Sequence, residues 1–174
     1  MNRLYLPRTW VSRPLASGQS QIQGTGVFAT TMIARGEMVM EFGGELISGE
    51  EMESGDYRLC SIWPVHPGIF MAVPNGDPHI TLDEYLNHSC DANTWLSDEV
   101  TLTARRDIAA GEEITLDQGT WNTEDDYMED GAPCSCRAAN CRGMLTGKDW
   151  TRSDVQQHYA GHFHPMVAAL IKPC

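Results

Sequence analysis

Three cysteines of this sequence, Cys134, Cys136 and Cys141, lie within eight residues in the pattern C-x-C-x4-C. Thiolates at such spacing are typical ligands of structural zinc, which takes four donors in a tetrahedron. The pattern therefore predicts a zinc site whose fourth donor comes from elsewhere in the chain; the alternative is three reduced cysteines without a metal. The candidate fourth donors are Cys60, Cys90, Cys174 and a histidine such as His162 or His164.

Three further segments carry polar or flexible residues in compact patterns: residues 24–29 (GTGVFA), 87–93 (NHSCDAN) and 111–117 (GEEITLD). Glycine leaves space for a ligand to approach the backbone closely. Neighbouring Asn and His side chains can donate and accept hydrogen bonds. Taken singly, each pattern also fits a tight turn or a histidine satisfied inside the core.

Together, in this order, the four patterns resemble those of SET-domain proteins with a post-SET tail. Residues 24–29 resemble the G-x-G-V-F-A element, and residues 87–93 resemble N-H-S-C-x-P-N with Ala92 in place of proline. Residues 111–117 resemble G-E-E-L-T-x-D, and the cysteine cluster resembles the post-SET motif. The resemblance covers about residues 22–145, and no cysteine-rich pre-SET module precedes Gly24.

The resemblance implies a mainly β fold of small antiparallel sheets, with residues 87–90 and 111–115 threaded past each other in a pseudoknot. It also implies that Cys90 is the fourth zinc ligand beside Cys134, Cys136 and Cys141, and that the protein uses S-adenosylmethionine. The cofactor contacts that it suggests are Gly24, Thr25, Gly26, Val27, Phe28, Tyr85, Asn87 and His88. For Tyr85, packing in the core is the alternative.

The sequence departs from the family pattern where the acceptor channel is expected. Gln118 stands where G-E-E-L-T-x-D-Y ends in tyrosine, and Phe42 stands at the tyrosine of E-Y-x-G-E. These two positions and His88 are the candidate catalytic residues. A glutamine side chain can orient a substrate by hydrogen bonds but cannot ionise as a phenol does. Tyr127, in an acidic segment, is a possible substitute, although a plain loop residue is the alternative.

The elements that must position these residues are short. Residues 38–42, 58–65, 69–73 and 94–104 have the apolar patterns of strands, bounded by Gly and Pro turns. We expect an N-terminal arm over 1–23, a SET domain over 24–121, an acidic loop over 122–133, a zinc motif over 134–145 and a helical tail over 146–174. Helical spacing within 153–171 is interrupted at Pro165.

Composition narrows the partners. The 174 residues carry 24 acidic and 12 basic side chains, a net charge of -12, which disfavours direct binding to nucleic acid and favours a basic protein or peptide. No run of about 20 apolar residues predicts a membrane span. The N-terminus lacks a secretory h-region, so we expect a cytoplasmic protein. The sequence does not specify an oligomeric state.

Three functions are compatible with these patterns. The first is an S-adenosylmethionine-dependent methyltransferase acting on a lysine amine of a protein. The second is an enzyme on the same scaffold with a small-molecule acceptor, because Gln118 and Phe42 replace channel tyrosines. The third is a non-catalytic module that binds the cofactor or zinc.

Overall fold

The computed structural model describes residues 3–12, 15–123 and 131–172. Within these ranges the chain forms short strands in four small sheets, with short helices between and after them. All strand pairs of the described residues are antiparallel except one. The prediction of a mainly β fold of small antiparallel sheets is confirmed.

Two four-stranded sheets form the centre. The first has the order β1 (Trp10–Val11), β4 (Met38–Glu41), β10 (Thr101–Ala104) and β9 (Thr94–Leu96). The second has the order β2 (Leu15–Gln19), β3 (Thr25–Ala29), β11 (Glu113–Leu116) and β8 (Asn87–His88). A third sheet contains β5 (Glu45–Ser48), β7 (Ile69–Ala72) and β6 (Trp63–His66), and β12 (Ala132–Pro133) pairs with β13 (Met144–Leu145).

The helices are all short. The α-helices are α1 (Gly49–Glu53), α2 (Ser153–His158) and α3 (Pro165–Ala168). The 3-10 helices span Leu59–Ser61, Leu82–Tyr85, Gln118–Thr120 and Asp149–Thr151. None of the helices in the described part of the chain has the length and apolar character that crossing a membrane requires.

The single parallel pair brings two of the sequence patterns together. Strand β8 lies beside β11, with Asn87 opposite Thr115 and His88 opposite Leu116. Both strands also lead into predicted site residues, since Cys90 follows β8 and Gln118 follows β11. This parallel pairing is the arrangement that the resemblance implies for the pseudoknot, and it places the two segments side by side.

Two apolar clusters hold the sheets together. One contains Met40, Phe42, Trp63, Val65, Met71, Leu96, Val100, Leu102 and Leu116. The other contains Val27, Ala29, Ile33, Val39, Ala104, Ile108 and Ile114. The turn after β4 needs Gly44, because a Cβ there would lie 2.8 Å from the carbonyl oxygen of Ala72. The close approach of these backbones accompanies the stacking of Phe42 on Trp63 of β6, in the third sheet.

The N-terminal stretch differs from the expected arm. Strand β1 pairs with β4, and β2 pairs with β3 over its whole length from Leu15 opposite Ala29 to Gln19 opposite Thr25. The polar composition suggested a loop, yet Val11 and Leu15 pack against the core. Strands at a sheet edge need only one apolar face, so alternation in such short segments is weak.

The C-terminal tail also differs in detail. Pro165 begins α3 at its first turn, with the His164 side chain accepting a hydrogen bond from the Met166 amide; it does not break a longer helix. The start of a helix suits proline because the missing N–H has no intrahelical partner there. Residues 124–130 of the expected acidic loop, Tyr127 among them, and Cys174 lie outside the described residues.

Candidate functional site

The structure brings the cysteine loop onto the end of β8. The donor atoms of His88, Cys90, Cys134 and Cys136 all lie within 4.8 Å of one another. The Sγ atoms of Cys90 and Cys134 are 3.8 Å apart, which is about the edge of a tetrahedron with Zn–S bonds of roughly 2.3 Å. Cys141 also interacts with the thiols of Cys134 and Cys136. The donor set therefore fits zinc.

Hydrogen bonding decides which atom completes this set. The backbone amide of Gln118 donates to His88 Nδ1 at 3.1 Å, and burial lowers the pKa of His88 to about 4. A neutral imidazole whose Nδ1 accepts must carry its proton on Nε2. That nitrogen lies 3.3 Å from Cys90 Sγ, so it donates to the sulfur and has no free lone pair for a metal. His88 supports a ligand, and Cys141 is left as the fourth donor.

The thiols differ in their readiness to bind a metal. Burial raises the pKa of Cys90, and it raises that of Cys134 to about 11. Burial acts in the same direction on Cys136, but hydrogen bonds from the Cys90 and Ala138 amides outweigh it and lower the pKa to about 7. Cys136 is thus the first thiolate available, and binding at the others displaces protons.

A buried ionic cluster fastens the same loop to the core. Arg142 follows Cys141 and donates from both terminal nitrogens to the Asp117 carboxylate, each at 2.7 Å. Its Nε donates to Asp149 at 2.8 Å. The side chains of Arg142, Asp117 and Asp149 are 3%, 0% and 6% exposed. Sequence reasoning missed this cluster, although an arginine directly after a predicted ligand is a usable signal.

A cavity of about 660 Å³ opens beside this region. Gln23 and His88 line one part of it, and Phe42, Trp63 and Trp121 line another. The rings of Phe42 and Trp63 stack with their centroids 4.0 Å apart, and Trp121 lies 4.7 Å from Trp63. The cavity volume lies within the range of about 300–1,000 Å³ that is usual for small-molecule sites.

Two residues that line the cavity each have a buried side-chain oxygen without a well-aligned hydrogen bond among the described residues: Gln118 Oε1 and Asp83 Oδ1. The Thr9 and Thr81 hydroxyls interact with the Asp83 carboxylate. Burial raises the pKa of Asp83. Buried oxygens without partners are costly, and a donor group of a ligand or a water in the cavity would satisfy them. Glu84 also lines the cavity, but its carboxylate is paired with Arg58 at 2.6 Å, so the feature of the lining that favours a ligand is its unpartnered oxygens, which suit N–H groups.

The glycine loop is held by side chains from two other strands. The Asn87 amide donates to the carbonyl oxygens of Gln23 and Thr25 and to Glu113. A Cβ on Gly26 would lie 2.3 Å from the Glu113 carboxylate. A side chain at position 26 would therefore displace Glu113 from its hydrogen bonds with Ser20 and Asn87, whereas Gly24 has a φ of +50° and open space around it. The open position is the one where a ligand can approach.

The predicted site residues thus separate into groups. His88, Gln118 and Phe42 meet at the cavity, and Gly24 lies next to its wall at Gln23. Val27 is fully buried in the core, so its side chain faces away from any ligand. Of the other predicted cofactor contacts, Thr25 is exposed, while Phe28 and Tyr85 are partly buried.

Of the three rings in the aromatic wall, the sequence pointed only to Phe42, and it did not indicate Trp63 or Trp121. Trp63 and Trp121 are 58 residues apart in the sequence, and nothing in their neighbouring residues predicts that they meet. Trp63 is fixed by a hydrogen bond from its Nε1 to the Glu99 carbonyl at 2.8 Å. The cavity lining therefore includes an aromatic wall, formed by the contacting rings of Phe42, Trp63 and Trp121.

Comparison with known proteins agrees with this geometry. The SET domain family model matches residues 24–119. Histone-lysine N-methyltransferase Set2 of Drosophila melanogaster is 32% identical over 143 residues, 75% of this chain and 6% of the relative. The H3 lysine-36 specific histone-lysine N-methyltransferase of Saccharomyces cerevisiae is 34% identical over 152 residues, 79% of this chain and 20% of the relative. The chain therefore spans a small part of each relative.

Among solved structures, a chain of an active polycomb repressive complex 2 in the basal state is similar over 60% of this chain and 15% of its own length. The identity is 29% and the TM-score is 0.47.

Proposed function

The chain belongs to the SET-domain family, and from that premise we propose that it is an S-adenosylmethionine-dependent methyltransferase acting on a lysine amine of a protein. The observation that carries the proposal is the cavity in which His88, Gln118 and the aromatic wall meet. The named relatives are histone-lysine methyltransferases, which supports a basic protein as acceptor. The net charge of -12 suits such a partner.

The residues on the Gln23 side of the cavity would hold the cofactor. When bound, S-adenosylmethionine supplies a methyl group on a positively charged sulfur. The open backbone at Gly24 allows close approach, and the unpartnered Asp83 oxygen can accept from an amino group. The volume of about 660 Å³ and the open backbone at Gly24 fit this cofactor in shape.

Gln118 would orient the acceptor. Its buried Oε1 lacks a partner and can accept an N–H of a neutral amine, leaving the nitrogen lone pair free to face the methyl group. Holding a nucleophile in line in this way lowers the entropic part of the barrier. Unlike a phenolate, the amide takes up no proton, so Gln118 would orient the amine without serving as its base.

The aromatic wall would exclude water and stabilise the product. Phe42, Trp63 and Trp121 present ring surfaces to the cavity, and aromatic faces attract ammonium groups by about 0.5–2 kcal/mol. The charge on the acceptor nitrogen appears only as the methyl is transferred. These rings therefore contribute more to the product-like state than to the neutral amine.

The proposal is tested by incubating the purified protein with labelled S-adenosylmethionine and a panel of basic proteins, with boiled protein as the control. We expect transfer to lysine, and Gln118→Ala should lower kcat about 10²–10³-fold. Gln118→Glu is the matched variant, because it keeps an acceptor oxygen. Binding of the cofactor without any methyl transfer would contradict the proposed methyltransferase activity and favour a non-catalytic module.

A second candidate function is methylation of a small molecule. The cavity volume of about 660 Å³ and the absence of two channel tyrosines at Phe42 and Gln118 favour a bulkier acceptor than a lysine side chain. The two candidates differ in their products. Exclusive formation of methyllysine would exclude the small-molecule acceptor, whereas transfer to amine-bearing compounds with no protein product would favour it.

A further inference from the structure

We propose that Arg142 is a positioning residue that couples the cysteine loop to the catalytic side of the cavity. The cofactor measurement below rests on the proposed function, whereas the exchange measurement does not. Arg142 lies between the two regions: its backbone amide donates to Cys90 Sγ at 3.4 Å, while its guanidinium binds Asp117. Arg142 therefore contacts the predicted zinc ligand Cys90 directly, and it comes immediately after the predicted ligand Cys141 in the sequence.

The next step runs from Asp117 to the cavity. One Asp117 oxygen accepts from the Gly119 amide at 2.8 Å and caps the 3-10 helix Gln118–Thr120. The amide of Gln118, at the start of that helix, donates to His88 Nδ1. The position of the Asp117 carboxylate thus sets the position of Gln118, and through it the ring of His88.

The opposite end of the cluster belongs to the tail. Asp149 accepts from Arg142 Nε through one oxygen and from the Thr146 hydroxyl through the other, at 3.1 Å. With three hydrogen bonds in fixed directions, the guanidinium can bridge the two carboxylates in a way that an ammonium group cannot. A shift of the cysteine loop on metal loss is therefore passed to Asp117, since Arg142 contacts Cys90 and Asp117 directly.

The coupling predicts a reciprocal dependence of cofactor affinity on the metal. The experiment measures the Kd of S-adenosylmethionine by calorimetry, with one equivalent of zinc and after chelation, in three proteins: the unaltered chain, Arg142→Lys and Arg152→Lys. Arg152 is the matched control, because it lies in the same tail but pairs with Asp154 at a side-chain exposure of 48%. We expect zinc to tighten binding about 5–150-fold in the unaltered protein and the control.

In Arg142→Lys that ratio should fall to near 1. A purely structural role would weaken affinity in both metal states and preserve the ratio, so an unchanged ratio would overturn the proposal. Should Arg142→Lys fail to fold, Asp117→Asn cuts the same link from the core side and must show the same loss. Thermal unfolding of each variant in zinc identifies such a failure.

A second measurement is independent of the cofactor. Hydrogen exchange of residues 117–121 reports the order of the 3-10 helix directly. Zinc should slow this exchange in the unaltered protein and in Arg152→Lys, but not in Arg142→Lys. If no protein binds the cofactor while this pattern holds, the proposed function fails and the coupling stands. Equal slowing in all three proteins would refute the coupling.

Discussion

The hydroxyl of Tyr159 joins the C-terminal tail to the segment that carries Cys90. It accepts from the buried Ala92 amide at 3.0 Å and donates to the Cys90 carbonyl at 3.3 Å. Tyr159 is 1% exposed and Ala92 is 0% exposed, so water cannot replace the lost group. The informative substitution is Tyr159→Phe, which removes the oxygen and keeps the ring.

The expected loss of stability depends on which of the two backbone groups loses its hydrogen-bond partner. The Cys90 carbonyl still accepts from the Asn140 side chain at 3.1 Å, but the Ala92 N–H loses its partner. An unsatisfied buried donor costs about 1–3 kcal/mol. Because the ring remains, no large cavity adds to this figure. The free energy of unfolding of Tyr159→Phe should therefore fall by about 1–3 kcal/mol.

The assay is urea unfolding at a fixed excess of zinc, so that metal binding contributes equally to each protein. The midpoint should fall while the slope m stays unchanged. Tyr5→Phe is the control, since its hydroxyl lies in a partly exposed contact with Glu99 and should cost less than about 0.5 kcal/mol. If the two variants unfold at the same urea concentration, the reasoning about the buried amide is wrong.

Three further outcomes follow from the site. Cys134→Ser should lower the melting temperature and weaken cofactor affinity, measured by calorimetry, about tenfold or more, because a predicted zinc ligand is lost. Unchanged cofactor affinity would count against a shared site. Burial raises the pKa of Asp83, so ionisation of its carboxyl group opposes folding at pH values above the ordinary aspartate pKa. In thermal unfolding, Asp83→Asn should therefore stabilise the protein at pH 7 but not near pH 4. Gly26→Ala, with a glutamate oxygen 2.3 Å from the new methyl, should cost about 1–3 kcal/mol, whereas Gly76→Ala, in open space, should not.

Local patterns were sufficient for the cysteine site because its spacing is short. Three of the four predicted ligands lie in one loop, and thiolate chemistry restricts the metals that such a loop can hold. The order of the glycine, N-H-S-C and G-E-E-I-T segments was sufficient for the fold. The N-terminal strands were not predicted, since edge strands such as β1 and β2 contain too few residues for alternation to show.

What the sequence by itself determined is the family, a cysteine pattern typical of zinc ligands, and the presence of Phe42 and Gln118 where the family pattern has tyrosine. The tertiary structure alone decided which atoms meet: the hydrogen bond that fixes the proton on His88, the tilted contact between the rings of Trp63 and Trp121, and the buried ion pair of Arg142 with Asp117. These contacts join segments that are 25 or more residues apart. Their geometry arises from strand pairing and packing, and no local pattern of residue types encodes a distance between such segments.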